Sequence, residues 1–178
     1  GSCSPGVTWR TALATEPPEL FFAFGRPVLA PVSGGVVAVH DGESDHEARR
    51  SRLALIPYLL GQPARLRSGI GAIGGNYVLI ARPGGGAVVG VMHLRSGSLR
   101  VRPGQQIREG EQIGECGNSG NSTQPHVHVQ AMDGIDPWTA RGLPLSFRSF
   151  GEKPARARTF TDRRNTVPDE TSVVRAPE

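Results

Sequence analysis

The apolar residues of this chain come in short runs, and most runs are closed by glycine or proline. "GGVVAVH" at 34–40, "NYVLIA" at 76–81 and "AVVGVMHL" at 87–94 are each too short for a typical helix. Their valine and isoleucine content favours extended backbone. Long amphipathic runs at helical spacing are scarce. With 24 glycines and 15 prolines in 178 residues, turns are frequent. The pattern predicts a mainly β chain of short antiparallel strands, a sandwich or half-barrel with an open groove, rather than a bundle. Apolar residues make up 37% of the chain and cluster, so most of it can bury a core.

Several elements follow from this punctuation. "ATEPPEL" is broken by prolines and ends a short helix predicted at 9–15, so residues 1–23 read as an irregular segment. "GRPVLAPVSGGVVAVHDG" reads as two strands around a turn at Ser33–Gly35. "HEARRSRLALIPYLL" predicts a helical insertion over 46–60, with Pro57 as its kink or stop. "GNYVLIARP" (75–83) and "AVVGVMHLR" (87–95) form a hairpin across the "GGG" between them. Turns are expected at Pro103–Gly104 and Glu109–Gly110, and a late strand at 125–133. A single domain over 24–150 is expected. From residue 151 the composition turns polar and charged, which predicts an extended or disordered tail to 178.

"GRPVLAPVSGGVV" and "VRPGQQIREGEQIG" echo each other as strand, glycine turn and strand. Such pairs resemble the halves of barrel-sandwich carrier domains. Those carriers need an exposed lysine on a hairpin tip, and the only lysine here is Lys153, outside that region.

The formal charge of +4, with positive charge almost entirely from arginines, favours anionic partners such as wall polymers. Aromatics are only 6% and no arginine run is interleaved with them, so nucleic acid is not expected as a partner. No window reaches the apolar length of a membrane-crossing helix, and no signal peptide is visible. Cys3 and Cys116 could pair only in an oxidising compartment. The "IGECG" context predicts a small buried structural role for Cys116.

The chemistry concentrates in "GNSGNSTQPHVHVQ" at 117–130. In a strand, residues i and i+2 share one face, about 6.5–7 Å apart. His126 and His128 would then share a face, with Val127 and Val129 turned to a core. Neutral imidazoles are zinc ligands and general bases, though an isolated HxH has several explanations. Asn118, Asn121, Ser122 and Thr123 are expected to shape the preceding turn through backbone hydrogen bonds. Asp133 and Asp136 are expected to cap the turn that follows.

The ordered blocks "RPVLAPVSGGVV", "GNYVLI", His93–Leu94, "VRPGQQIREGEQIG" and "GNSGNSTQPHVH" resemble the lysostaphin/LytM-type zinc metallopeptidases, peptidase family M23. The resemblance spans roughly 24–133 and implies the duplicated hybrid motif fold. It implies His128 as a zinc ligand and His93 and His126 as catalytic residues. It implies one zinc ion, hydrolysis of amide bonds in peptidoglycan peptides, and an extracytoplasmic place of work. Gln124 stands where many relatives carry glycine.

The sequence departs from the family at one point. The family draws two more zinc ligands from an HxxxD motif ahead of the "RPVLAP" strand. Here there is no histidine before His40 and no aspartate before Asp41. Three readings stay open. A parent protein carries the motif outside these residues. Alternatively, the chain is a catalytically degenerate module that binds peptidoglycan or regulates a cell-wall hydrolase. Finally, His40, Asp45 and His46 within "HDGESDHE" form an alternative metal cluster, against the plainer reading of a solvated acidic loop.

Overall fold

A computed structural model describes residues 15–48, 73–136 and 139–176. The chain divides into a first compact unit that ends at Arg141 and a second that begins at Gly142.

The first unit is built from strands β1 (Pro27–Leu29), β2 (Gly34–His40), β3 (Asn76–Ala81), β4 (Val88–Leu94), β5 (Gln106–Ile107), β6 (Gln112–Glu115) and β7 (His128–Met132). A single 3-10 turn, Pro18–Leu20, precedes them. Strands β5, β2, β3, β4 and β7 lie side by side in that order, and every pairing is antiparallel. Strands β1 and β6 pair as a separate antiparallel ribbon. The mainly β, open antiparallel architecture expected from the sequence is present.

The main core lies between the ribbon and one face of the sheet. Val28, Val36, Val78, Ile80, Val91, Leu94, Ile113 and Cys116 are buried there. Each fully buried aliphatic side chain of this kind stabilises the fold by about 1.5–3 kcal/mol. Leu79, Val88 and Met132 form a smaller cluster, with Tyr77, Ala38 and Ala140 against it. The expected β3–β4 hairpin and the turns at Gly104 and Gly110 are in place. Asp133 and Asp136 close the turn after β7: the Asp133 carboxylate accepts from Arg141 N–H, and Asp136 Oδ2 accepts from the Thr139 hydroxyl.

Two sequence expectations meet a different outcome. The late strand begins at His128, not at residue 125, because the Gln124 carbonyl is taken by side chains of its own loop. Residues from 142 onward build strands β8 (Gly142–Leu143), β9 (Phe147–Lys153), β10 (Thr161–Thr166) and β11 (Val173–Arg175). Strands β10, β9 and β11 form an antiparallel sheet, where an extended or disordered tail was expected. Polar composition hid it, since only Phe150, Gly151 and Glu152 are buried there. The predicted helices lie outside the described residues, apart from Thr15 and residues 46–48. Of the latter, Ala48 bridges to Glu16 in extended backbone.

Within the second unit, Glu152 is buried and accepts hydrogen bonds from Asp169 N–H at 2.7 Å and Arg163 Nε–H at 2.8 Å. The Asp169 N–H, then the Arg163 guanidinium, hold its carboxyl below the usual carboxylate range.

Candidate functional site

Three histidines meet at one end of the β4–β7 pair. The rings of His93 and His126 lie 4.7 Å apart between centroids, and those of His93 and His128 lie 6.3 Å apart, edge to face. Strand geometry alone would not bring His93 there. In a regular β4 it would follow Val91 onto the core side. Between Asn76 and Val78 the β3–β4 register shifts, so Met92 and His93 together oppose Tyr77. At this bulge His93 takes a left-handed backbone, φ +62°. Bulges re-aim side chains in this way. Leu94 returns to the core beside Val91, while His93 turns toward His126 and His128. A non-glycine residue held in this region costs on the order of 1–3 kcal/mol, which the surroundings must offset.

The surroundings are a net of backbone contacts. His93 Nδ1 lies 2.9 Å from the Ser119 carbonyl oxygen. A carbonyl only accepts, so Nδ1 carries the proton and Nε2 keeps its lone pair. Ser119 is fixed in turn: its hydroxyl donates to Leu94 O at 2.7 Å and accepts from Asn76 N–H at 3.0 Å. The Asn76 amide donates to Glu43 O and Leu94 O and accepts from the N–H groups of Gly42 and Glu43. The two loops meet backbone to backbone at Gly75 and Gly120, both at positive φ. A Cβ on Gly120 would collide with Gly75 N.

His126 repeats the logic. Its Nδ1 donates to the Gln124 carbonyl at 2.8 Å, beside the buried Ser122 hydroxyl, which donates to the same oxygen. Its Nε2 is therefore also unprotonated in the neutral ring. Val127 packs against the main core and fixes the entry to β7. His128 pairs with Met92 across the sheet, and its Nε2 lies 3.2 Å from Gln130 Oε1.

Burial pushes the His93 pKa down to about 4. The hydrogen bond to Ser119 opposes the shift, while His126, His128 and His46 add to it. His93 is thus a neutral ring across the physiological range. Burial, then Asp45, push the Cys116 thiol up to about 11, which fits an inert core residue rather than a nucleophile. The Cys116 thiol is free; Cys3 lies outside the described residues.

His40, Asp45 and His46 do not converge on one centre. His40 stacks on Tyr77 and faces Glu43 Oε1 at 3.4 Å. Asp45 is occupied by the N–H groups of Ser96 and Asn118. His46 Nε2–H donates to Gly120 O at 2.8 Å. Backbone donors and acceptors of neighbouring loops have claimed all but His40. Among the described residues no three His, Cys, Asp or Glu side chains are grouped to hold a metal. A catalytic zinc site takes three protein ligands. His128 can supply one, so the described donor set is incomplete for such a site. The chemistry these residues can perform by themselves is that of paired imidazoles.

Asn76 and Ser119 are the residues that sequence reasoning missed. Their only signal was position: each follows a glycine or asparagine in a turn beside a histidine-bearing element.

Residues 65–138 match the profile of peptidase family M23, which bears out the resemblance carried by the sequence blocks. Several solved structures are similar to this chain. The catalytic domain of the antimicrobial peptidase lysostaphin from Staphylococcus simulans is 24% identical, with 68% of this chain and 70% of that one covered and a TM-score of 0.45. A mutant catalytic domain of the prophage-encoded M23 protein EnpA from Enterococcus faecalis is 20% identical, with 68% of each chain covered and a TM-score of 0.45. A zinc-containing peptidase from Vibrio cholerae is 18% identical, with 70% of this chain and 28% of that one covered and a TM-score of 0.43. Among the described residues no helix is long and apolar enough to cross a membrane.

Proposed function

We propose that this chain carries the histidine half of an M23-type peptidase site, acting on amide bonds of peptidoglycan peptides in the cell envelope. The observation that carries the reading is the convergence of His93, His126 and His128, with Nδ1–H of the first two committed to backbone carbonyls. The Nε2 positions of both rings are then the ones left to act.

Two such nitrogens suit water-mediated amide hydrolysis. One Nε2 accepts a proton from the water as its oxygen bonds to the scissile carbonyl carbon. The resulting imidazolium returns that proton to the leaving amine as the C–N bond breaks. The second ring orients the water. In this reading His128 is one ligand of a single zinc ion, and the remaining ligands come from outside the described residues.

The competing reading is a non-catalytic wall-binding or hydrolase-regulating module. The commitment of Asp45 and His46 to the backbone of neighbouring loops, rather than to a metal, favours it. Elemental analysis separates the two, run on the native protein beside the 178-residue chain. About one zinc per native chain, lost in His128→Ala, together with cleavage of glycine-containing wall peptides, supports the peptidase. No zinc after incubation with the metal, and no cleavage, overturns it in favour of binding.

A further inference from the structure

We propose that Asp45 is a positioning residue for His93, acting by fixing the Ser119 carbonyl that receives the His93 ring proton. This inference rests on the reading of His93 as a working imidazole.

A single carboxylate ties together the two segments on which the His93 ring depends. Asp45 Oδ2 accepts from Ser96 N–H at 3.0 Å, just past the end of β4 and three positions after His93. Asp45 Oδ1 accepts from Asn118 N–H at 2.6 Å, one position before Ser119. Charge-assisted bonds to backbone N–H groups are the stronger kind. The neighbouring residue completes the hold. His46 N–H donates to Asn118 O, the Asn118 amide donates to His46 O at 2.6 Å, and His46 Nε2–H donates to Gly120 O. Ser119 is therefore gripped on its N-terminal and C-terminal sides by residues 45 and 46. Its hydroxyl, bound to Leu94 O and Asn76 N–H, sets the remaining direction.

The grip matters because the Ser119 carbonyl anchors the His93 ring, and His93 itself holds a strained backbone. Its left-handed backbone aims the ring, and the Ser119 carbonyl alone decides which nitrogen carries the proton. A histidine ring in water prefers the proton on Nε2. If Ser119 drifts, the lone pair leaves Nε2. The loop read from sequence as a metal cluster or a solvated acidic stretch thus acts as a strap. Asp41, which accepts from Gly97 N–H at 2.8 Å, belongs to the same loop but reaches neither Ser119 nor its neighbours. It is the natural control.

Asp45→Asn keeps the volume but sets an amide N–H₂ against one of the two backbone donors. The test is the two-bond proton–nitrogen NMR correlation of histidine rings in the full chain, at neutral pH with a chelator present. The unsubstituted chain is expected to show His93 protonated at Nδ1. Asp45→Asn is expected to move His93 toward a mixture with the Nε2–H form, leaving His126, anchored by Gln124, unchanged. Asp41→Asn is expected to leave both rings as they were. His46→Gln, which removes the ring's bond to Gly120 O and its Nδ1 contact with the Asn118 amide, serves if Asp45→Asn unfolds, and is expected to produce a partial shift in the same direction. An unaltered His93 signature in folded Asp45→Asn, or in His46→Gln where that variant has to serve, overturns the proposal. So does an equal change in Asp41→Asn. Because the signature needs no turnover, a chain without peptidase activity but with this pattern would sink the catalytic reading and leave the strap standing.

Discussion

The His93 ring donates its Nδ1 proton to the backbone carbonyl of Ser119 across 2.9 Å, which leaves Nε2 bare in a ring centred 4.7 Å from that of His126. The proposed chemistry and the strap both turn on that bond.

Removal of either working ring should abolish most hydrolysis. His126→Ala and His93→Ala are each expected to lower the rate on a glycine-containing wall peptide by about 10²–10⁴-fold, the usual worth of a positioned acid–base group. His126 is exposed, so its loss should leave the fold unchanged. Initial rates alongside circular dichroism check this. Full activity in His126→Ala would remove it from the mechanism.

Acid should weaken the first unit through His93. The folded pKa is about 4, below the ordinary histidine value of about 6.5 in the unfolded chain. Between the two, the unfolded state binds more protons. Stability is thus complete above about 6.5 and declines as the pH falls toward 4, by on the order of 2 kcal/mol in total. Denaturant melts across this window should show the slope, and His93→Gln should flatten it.

Gly120 and Gly84 offer a matched pair. Both have positive φ, but a Cβ at Gly84 meets nothing within 4 Å, whereas one at Gly120 strikes Gly75. Gly84→Ala should cost only the backbone term, about 1–2 kcal/mol. Gly120→Ala should cost more and disturb the His93 ring signals as well. Equal melting shifts for the two would contradict the close loop contact.

In the second unit, Glu152→Gln should lower thermal stability at neutral pH, because the carboxylate facing Arg163 and Asp169 N–H loses its charge. The Glu152 carboxyl titrates below its ordinary range, so its contribution is present above that range and lost as pH falls through the folded value. The two chains should therefore converge in melting temperature in acid. A constant gap at all pH values would assign the effect to shape instead.

Much of the first unit was legible because its signals are local. Alternating valines, the "GGG" turn and the Pro103–Gly104 and Glu109–Gly110 turns each act within a few residues. His126 and His128 were legible because they are two apart. The turn of His93 was not, since it depends on a bulge whose cause is pairing with a different strand. Nor was the role of Asp45, whose partners at Ser96 and Asn118 are 51 and 73 positions away. The second sheet escaped because its buried interior is a phenylalanine, a glycine and a glutamate, with no apolar alternation to read.

The Asn76–Ser119 bond joins residues 43 apart, and the His46–Gly120 bond joins residues 74 apart. Such closures carry an entropic cost that early, local structure does not repay. The hairpin of β3 and β4 can form while the ring of His93 still lacks its acceptor. Competence of the three imidazoles is therefore a late event in folding, and a chain caught part-way, on the ribosome or in transit, holds the histidines without holding the site.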